Sequence, residues 1–247
     1  MAHFLLIHGA AHGGWCWHKV VPLLEAAGHH VLAPDLPGLG TDSTPLAELS
    51  LDLWVDRLVD LVQAQPQPVV LVGHSRGGLL VSKIAERIPE RVERAVYLTA
   101  FLLKDGQTLW QEASTDLDSI IPTNLIPDEQ SGTWTIRKEV VIDGFYGDCS
   151  AEDLDFVFPR LRPEPLFSLH TPIHVTAERF GRIPRHFIEC LEDRAITLQA
   201  QRRMQAAWPC ARVFQLATSH SPFLSAPERL VEVLLAGEAA PAGLSRA

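Results

Sequence analysis

Three features are absent from the 247-residue sequence, and each absence argues against a class of protein. No apolar run approaches the roughly 18 residues that a membrane-spanning helix needs, so we expect no membrane association. Basic residues are outnumbered by acidic ones, 21 to 30, and the net charge of −9 disfavours nucleic acid as a partner. The cysteines form no C-x-x-C pair, which favours free thiols in a reducing cytoplasm over disulfides; they are Cys16, Cys149, Cys190 and Cys210.

The marks of a secretory signal and of a cofactor site are also missing. The start, MAHFLLIHGAAHGG, has no basic leader and an apolar run of only Phe4 to Ile7, so we expect no signal peptide. No stretch fits the G-x-G-x-x-G pattern of dinucleotide sites or a Walker loop. Zinc ligation by some cysteines stays open, but none of them is paired at metal-site spacing. We predict neither a metal nor an organic cofactor. A homodimer stays open, because no pattern in the sequence decides the oligomeric state.

Strand-like and helix-like segments alternate along the chain, which predicts one α/β domain over residues 1–247 with a mostly parallel sheet of about six strands. Short apolar runs predict strands at His3–His8, His30–Pro34, Pro68–Val72, Val92–Thr99, Arg185–Cys190 and Arg212–Leu216. Apolar residues at three- and four-residue spacing predict flanking helices at Trp15–Ala27, Leu49–Gln63, Ser75–Arg87, Leu198–Trp208 and Ala226–Leu235. The small, polar tail Gly237–Ala247 is expected to be frayed.

The alternation stops between about Lys104 and Gly181, where proline and acidic residues are frequent and the periodicity is weak. Short amphipathic pieces such as Ala151–Arg160 occur there, but no segment has the pattern of the earlier strands. Because structureless loops of that length are rare inside compact domains, residues 104–181 are interpreted as an inserted, mainly helical cap. Aromatic residues of the cap are candidate walls of a substrate pocket, although plain packing explains them equally well: Trp110, Phe145, Phe156 and Phe158.

A candidate nucleophile lies where the third predicted strand meets a helix. The segment Gly73-His74-Ser75-Arg76-Gly77 fits G-x-S-x-G, with an apolar strand before it and a helical pattern after it. In that setting the serine occupies a sharp turn that projects its hydroxyl above the sheet, and glycine is needed two positions to either side. A tight turn with an idle serine is the alternative, but strand, turn and helix in this order favour the nucleophile.

A serine nucleophile needs a base, and the base needs a carboxylate to orient it. Among eleven histidines, His220 alone follows a late strand and precedes a helix, which places it at a carboxyl end of the sheet. Glu192 and Asp193 follow the strand Arg185–Cys190, again at a carboxyl end. The order serine, acid, histidine is the one expected for a G-x-S-x-G hydrolase. We predict Asp193 as the acid, with Glu192 as the alternative and a solvated acidic pair as the plain explanation.

The first predicted strand ends in HGAAHGG, and glycine at this point lets the backbone bend close to a substrate. We predict that the backbone amides of Ala10 and Arg76 form an oxyanion hole, with Gly9, Ala11 and His12 beside the substrate. The alternative is an ordinary glycine-rich turn after a strand, of the kind that can hold a phosphate.

The blocks HFLLIHGAAHGGWCWHKVVPLLEAAGH, GHSRGG and LEDRAI, with the SH before the last helix, resemble the α/β-hydrolase superfamily. More narrowly, they resemble the branch of plant methylesterases, hydroxynitrile lyases and small bacterial esterases, including pyrethroid hydrolases. The resemblance covers nearly the whole chain and is weakest across the cap. It implies the α/β-hydrolase fold, and a site of Ser75, Asp193 and His220 with the amides of Ala10 and Arg76 as the oxyanion hole.

Three positions refine what this resemblance implies. Lyase members carry a threonine in place of Gly9 and a lysine in place of Ser221, so ester hydrolysis is favoured here. Relatives often hold an apolar residue at position 76; the side chain of Arg76 either enters a salt bridge or adds positive charge near the pocket. We predict a serine carboxylesterase for small, uncharged, hydrophobic esters. The alternatives are a lyase or C–C bond hydrolase with the same triad, and a non-catalytic receptor for a small ligand.

Overall fold

The computed structural model describes residues 1–237, and this part of the chain forms two β-sheets with helices around them. In chain order the strands are β1 (His3–Ile7), β2 (His30–Leu32), β3 (Val69–His74), β4 (Val92–Leu98), β5 (Leu125–Asp128), β6 (Thr133–Ile136), β7 (Glu164–Pro165), β8 (Arg185–Cys190) and β9 (Arg212–Leu216). The larger sheet has six strands in the order β2-β1-β3-β4-β8-β9. All its neighbouring strands are parallel, so the predicted fold class is confirmed.

The α-helices of the same part of the chain are α1 (Val20–Ala26), α2 (Leu51–Gln63), α3 (Gly77–Arg87), α4 (Leu109–Ala113), α5 (Lys138–Phe145), α6 (Ala151–Val157), α7 (Phe167–His170), α8 (Leu198–Ala207), α9 (Pro222–Ser225) and α10 (Pro227–Ala236). None of the helices in residues 1–237 is both long and apolar enough to cross a membrane. From residue 238 onward, the predicted tail lies outside the described residues.

Helices cover both faces of the large sheet, which explains why its strands are continuous apolar runs rather than alternating ones. Leu71 of β3 packs in one apolar cluster with residues of α2, α3 and α8. Its neighbours Val70 and Val72 point to the opposite face and pack with residues of α1 and α10. The six-stranded sheet lies between these two apolar clusters and positions the loops at the carboxyl ends of its strands.

Several predicted helices begin one or more residues later than expected, and for two of them the structure shows a local reason. The segment predicted as one helix from Trp15 to Ala27 splits into a short 3₁₀ turn, Gly14–Trp17, and α1. Pro22 lies in the first turn of α1, where its missing N–H is harmless, whereas deeper inside a helix its ring would clash with the preceding turn. Helix α3 begins at Gly77 rather than Ser75, because Ser75 has a φ of 52°, outside the helical region.

The cap, residues 104–181, contains helices α4 to α7 as expected, but also a three-stranded antiparallel sheet that the sequence did not predict. Its strands β5, β6 and β7 have four, four and two residues. Runs this short have too few alternating positions to show a period of two. Pro127 and Pro165 lie inside β5 and β7 and further weaken the pattern of a strand.

Candidate active site

Ser75 occupies a strained turn between β3 and α3. Its φ of 52° is unusual for a residue with a side chain, and the turn leaves it 8% exposed. The flanking glycines permit the turn to pack. A Cβ atom on Gly73 would lie 2.6 Å from the side chain of Val81, and one on Gly77 would lie 2.7 Å from the carbonyl oxygen of Ile7. This geometry is the strand–turn–helix arrangement that the motif predicts.

His220 and Asp193 form a buried, directly hydrogen-bonded pair, with 2.6 Å between His220 Nδ1 and Asp193 Oδ2. The hydroxyl of Thr99 donates to the same carboxylate oxygen. The other oxygen, Oδ1, accepts from the backbone N–H groups of Ala195 at 2.7 Å and Ile196 at 2.9 Å. A carboxylate can only accept, so His220 donates from Nδ1, and its Nε2 is left free to take a proton.

Glu192, the alternative acid, lies at the surface. Its side chain is exposed, and its backbone N–H donates to the carbonyl of Thr218 at 3.0 Å. The structure therefore brings Asp193, not Glu192, to His220.

His74 connects the base to the turn that carries Ser75. Its Nε2 donates to the carbonyl oxygen of His220 at 2.8 Å, and the two ring centroids are 4.5 Å apart. Burial lowers the pKa of His74 well below its usual value, so the ring stays neutral at ordinary pH. His74 is not among the site residues predicted from the sequence, although its place beside Ser75 is a signal that it lies at the site.

The loop after β1 is fixed through His12. Its Nδ1 donates to the carbonyl of Ala10 at 2.6 Å, and its Nε2 accepts the hydroxyl of Tyr146 at 2.7 Å. Burial lowers the pKa of His12 to about 4, which keeps both roles in place at neutral pH. The N–H of Ala10 takes part in neither of these two hydrogen bonds, so they leave it available to donate to a substrate oxygen.

Two adjoining cavities lie above the sheet, and the smaller one is beside Ser75. The inner cavity, about 50 Å³, has room for a few water-sized groups and is bordered by Ser75 and Arg76. The outer cavity is about 630 Å³ and is more open. Ala10, Trp134 and Phe145 border both cavities, so the two spaces adjoin one another. The space beside Ser75 is narrow and apolar, and a roomier space lies next to it.

The sequence matches the Alpha/beta hydrolase family over residues 4–233. The chain belongs to this family. It is 35% identical over 254 residues to Methylesterase 1 of Arabidopsis thaliana, with 94% of each chain covered. It is 33% identical to Salicylic acid-binding protein 2 of Nicotiana tabacum, over 94% of this chain and 95% of the relative. The predicted resemblance is thereby confirmed.

Solved structures of similar proteins superpose on nearly the whole length of this α/β hydrolase. A pyrethroid hydrolase from Sphingobium faniae JZ-2 has a TM-score of 0.83 and 31% identity, with 98% of each chain covered. Polyneuridine aldehyde esterase has a TM-score of 0.83 and 28% identity, covering 97% of this chain and 100% of that one. Both alignments extend across the cap, where the sequence resemblance is weakest.

Four of the predicted pocket residues border a cavity. Trp110 borders the inner cavity, Ala11 and Phe158 border the outer one, and Phe145 borders both.

Gly9, His12 and Phe156, which were also predicted beside the substrate, border neither of these two cavities. His12 is turned inward by the two hydrogen bonds described above. Phe156 packs on the ring of His18, with centroids 4.2 Å apart. Gly9 lies against the nucleophile turn, where a Cβ atom on it would be 2.8 Å from His74 Nδ1.

The Arg76 side chain, for which the sequence left two possibilities, enters a salt bridge. Its Nε lies 2.9 Å from Oε1 of Glu164, a cap residue, and both side chains are almost completely buried. The guanidinium also lies over the ring of Trp54, 4.6 Å from its centroid. Sequence reasoning missed Glu164, because nothing in the local segment R-P-E-P distinguishes it from an exposed acid.

Residues 1–237 contain no group of three or more histidine, cysteine, aspartate or glutamate side chains arranged to hold a metal ion. All four cysteines are free, and Cys16 and Cys190 are buried. Burial raises the pKa of both of these thiols well above the usual value, so neither is a reactive thiolate.

Proposed function

We propose that this α/β hydrolase cleaves small hydrophobic carboxylic esters through an acyl-enzyme on Ser75. The buried bond between His220 and Asp193 carries the proposal, because a neutral ring that donates from Nδ1 has its acceptor lone pair at Nε2. The contact of His74 with the carbonyl of His220 ties that ring to the nucleophile turn. The names of the relatives, which include methylesterases and a pyrethroid hydrolase, support the same reaction class.

In the proposed reaction, Ser75 Oγ attacks the ester carbonyl carbon while His220 Nε2 takes the hydroxyl proton. The carboxylate of Asp193 stabilises the imidazolium that forms. The carbonyl oxygen becomes an oxyanion that accepts hydrogen bonds from the backbone N–H groups of Ala10 and Arg76. The C–O bond to the alcohol then breaks, and the alcohol leaves with the proton from His220. Water, activated by the same histidine, hydrolyses the acyl-enzyme and restores Ser75.

The cavities support a preference in size and polarity. The inner cavity is small and apolar, and its one bordering cation, Arg76, is neutralised by Glu164. A short uncharged group of the ester is therefore expected beside Ser75, and the bulkier group in the outer cavity. The free thiols also suit a reducing compartment, and we include the cytoplasm in the proposal.

The test compares wild type with Ser75→Ala on a panel of esters that vary in acyl and alcohol size. The variant is expected to fold and to lose several orders of magnitude in kcat, because the oxyanion hole alone leaves only residual catalysis. A fluorophosphonate probe should label wild type but not Ser75→Ala. Ser82→Ala, which removes a buried hydroxyl of α3 bonded to Tyr97, is the matched control and should retain labelling and turnover. Near-wild-type turnover in folded Ser75→Ala would show that another group is the nucleophile.

A further inference from the structure

A buried ion pair joins the nucleophile turn to the cap. Arg76 follows Ser75 directly, and Glu164 lies in β7 of the cap. The contact between Arg76 Nε and Glu164 Oε1 is 2.9 Å, and the side chains are 1% and 0% exposed. A charge in such a place is costly unless it is paired and hydrogen-bonded. Removing either partner alone would leave the other uncompensated in the protein interior.

The same two side chains also hold the loop that follows β1. Arg76 Nη2 donates to the carbonyl of Gly9 at 2.9 Å, an oxygen that also accepts from His8 Nδ1 at 2.9 Å. Glu164 Oε2 accepts the backbone N–H of Ala11 at 2.7 Å. The arginine therefore bonds the residue before Ala10, and the glutamate bonds the residue after it.

The backbone at Ala11 requires such support. Its φ of 64° lies in the left-handed region, which residues with a side chain rarely adopt. Strained positions of this kind persist only where the surrounding structure holds them. Besides Glu164, the cap holds Ala11 through the backbone N–H of Arg162, which donates to the carbonyl of Ala11 at 3.0 Å.

Stability alone is a weak explanation for the pair. Buried ion pairs can often be replaced by well-packed apolar residues of similar volume without loss of stability. Here, however, Arg76 Nη2 and Glu164 Oε2, which do not form the ion pair, contact the loop on both sides of one amide. That amide, of Ala10, is the donor that the proposed reaction uses.

We propose that Arg76 and Glu164 are a positioning pair that aims the Ala10 N–H at the substrate oxyanion, so that the oxyanion hole is complete only when the cap is docked. Arg76 then serves the hole twice, through its own backbone N–H and through its side chain on Gly9. This inference rests on the proposed function, because it assigns a role within the same reaction.

The principal test is the double variant Arg76→Met/Glu164→Met. It removes both charges together and keeps apolar volume, so a folded protein is expected, while both side-chain contacts to the loop are lost. Loss of an oxyanion donor costs roughly 10²–10³ in kcat, and a misdirected donor should cost part of that. We expect kcat to fall about 10- to 100-fold with KM within about threefold of wild type, the pattern of an interaction made only in the transition state.

A second double variant, Arg76→Met/Glu164→Gln, isolates one contact. It is also free of the buried charges, but the amide oxygen of glutamine can still accept from the N–H of Ala11. We expect it to recover part of the kcat lost in the first variant. If instead both variants fail to fold, the pair is a requirement for folding, and the assignment as a positioning device is wrong.

A trifluoromethyl ketone, labelled with ¹³C at its carbonyl, gives a readout that a purely structural role would not change. It forms a hemiketal with the serine, and its oxyanion occupies the hole. In Arg76→Met/Glu164→Met the inhibition constant should rise by the same factor by which kcat/KM falls. The ¹³C resonance should also show the hemiketal ionising at higher pH than in wild type, because its anion has lost an aligned donor.

The matched control is Arg203→Met/Glu112→Met. This pair, 2.7 Å between Arg203 Nη2 and Glu112 Oε1, likewise joins a cap helix, α4, to the main domain through α8. It should leave kcat and hemiketal ionisation unchanged.

Two outcomes separate this inference from the proposed function. Wild-type kcat and hemiketal ionisation in the folded Arg76→Met/Glu164→Met variant, with Ser75→Ala inactive, would overturn the positioning pair alone. A wild type that neither hydrolyses esters nor forms the hemiketal would overturn the proposed function and this inference together.

Discussion

Replacing Asp193 with asparagine exchanges one oxygen for an NH₂ group and should reverse the direction of the hydrogen bond to His220, the proposed base. The aspartate accepts two backbone N–H groups on Oδ1, from Ala195 and Ile196. An asparagine must keep its oxygen there, because its NH₂ group would otherwise face two donors. The NH₂ group then faces His220 Nδ1. A donor in that place forces Nδ1 to accept, so the ring proton moves to Nε2 and the base can no longer take the proton of Ser75.

The expected loss is about 10⁴ in kcat, as for a triad histidine held in the wrong tautomer elsewhere. That factor corresponds to about 5.5 kcal/mol of transition-state stabilisation. The fold should remain, because the substitution preserves shape and the two backbone contacts. The assay is kcat for an aryl ester, with circular dichroism and thermal unfolding to confirm that the variant is native.

Glu192→Gln is the matched control, since it makes the same chemical change one residue earlier on an exposed side chain. It should change kcat less than about twofold, in line with surface substitutions generally. A native Asp193→Asn enzyme within tenfold of wild type would refute the tautomer argument. A larger loss in Glu192→Gln would move the acid to that residue.

Two further predictions concern reaction type and acid stability. Cyanohydrin cleavage needs a cation near the leaving cyanide and a hydroxyl that holds the substrate oxygen, but Ser221 carries no charge and Gly9 carries no hydroxyl. We therefore expect short esters to be hydrolysed and mandelonitrile to release little cyanide, and efficient cyanide release with negligible ester turnover would contradict this. His12 has its pKa lowered from 6.5 to about 4 by burial, so the unfolded chain binds more protons between these pH values. Its contribution to the free energy of unfolding is complete above pH 6.5 and lost as the pH falls to 4, by up to about 3 kcal/mol. Urea unfolding between pH 7.5 and 4.5 measures this effect: the free energy of unfolding should fall less in His12→Gln than in wild type. An equal fall in both proteins would refute the assignment of this pH dependence to His12.

The large sheet could be predicted because its signal is local. Strands β8 and β9 have the predicted bounds, Arg185–Cys190 and Arg212–Leu216, since each is a short run with turn residues on both sides. Both faces of the sheet are covered, so buried strands stand out as apolar segments. Once the strand order is known, the carboxyl ends locate Ser75, Asp193 and His220 without any knowledge of the cap.

The contacts that hold the site were not predictable in the same way, because they join distant segments. Glu164 lies 153 residues from Ala11, and nothing in its neighbours indicates that it is buried. The cap aromatics show the same limit. Phe145 and Phe156 looked equivalent in the sequence, yet the first borders both cavities and the second packs on His18. Which face of a short helix points inward depends on tertiary contacts rather than on the helix itself.

Backbone strain shows how far the site is formed in advance of any ligand. Among residues 1–237, the non-glycine residues with positive φ are Ala11, Ser75 and Thr99, and all of them lie at the site. Each is held by neighbours: Glu164 accepts from the N–H of Ala11, the carbonyl of Ser75 accepts from Phe101, and the N–H of Thr99 donates to Ile188. Strain of this kind costs about 1–3 kcal/mol per residue and must be offset by such contacts. Because alanine, serine and threonine do not indicate a left-handed backbone as glycine does, the sequence does not reveal these strained positions. They nevertheless set the direction of the hydroxyl of Ser75, the amide of Ala10 and the carboxylate of Asp193, the groups whose alignment the proposed reaction requires.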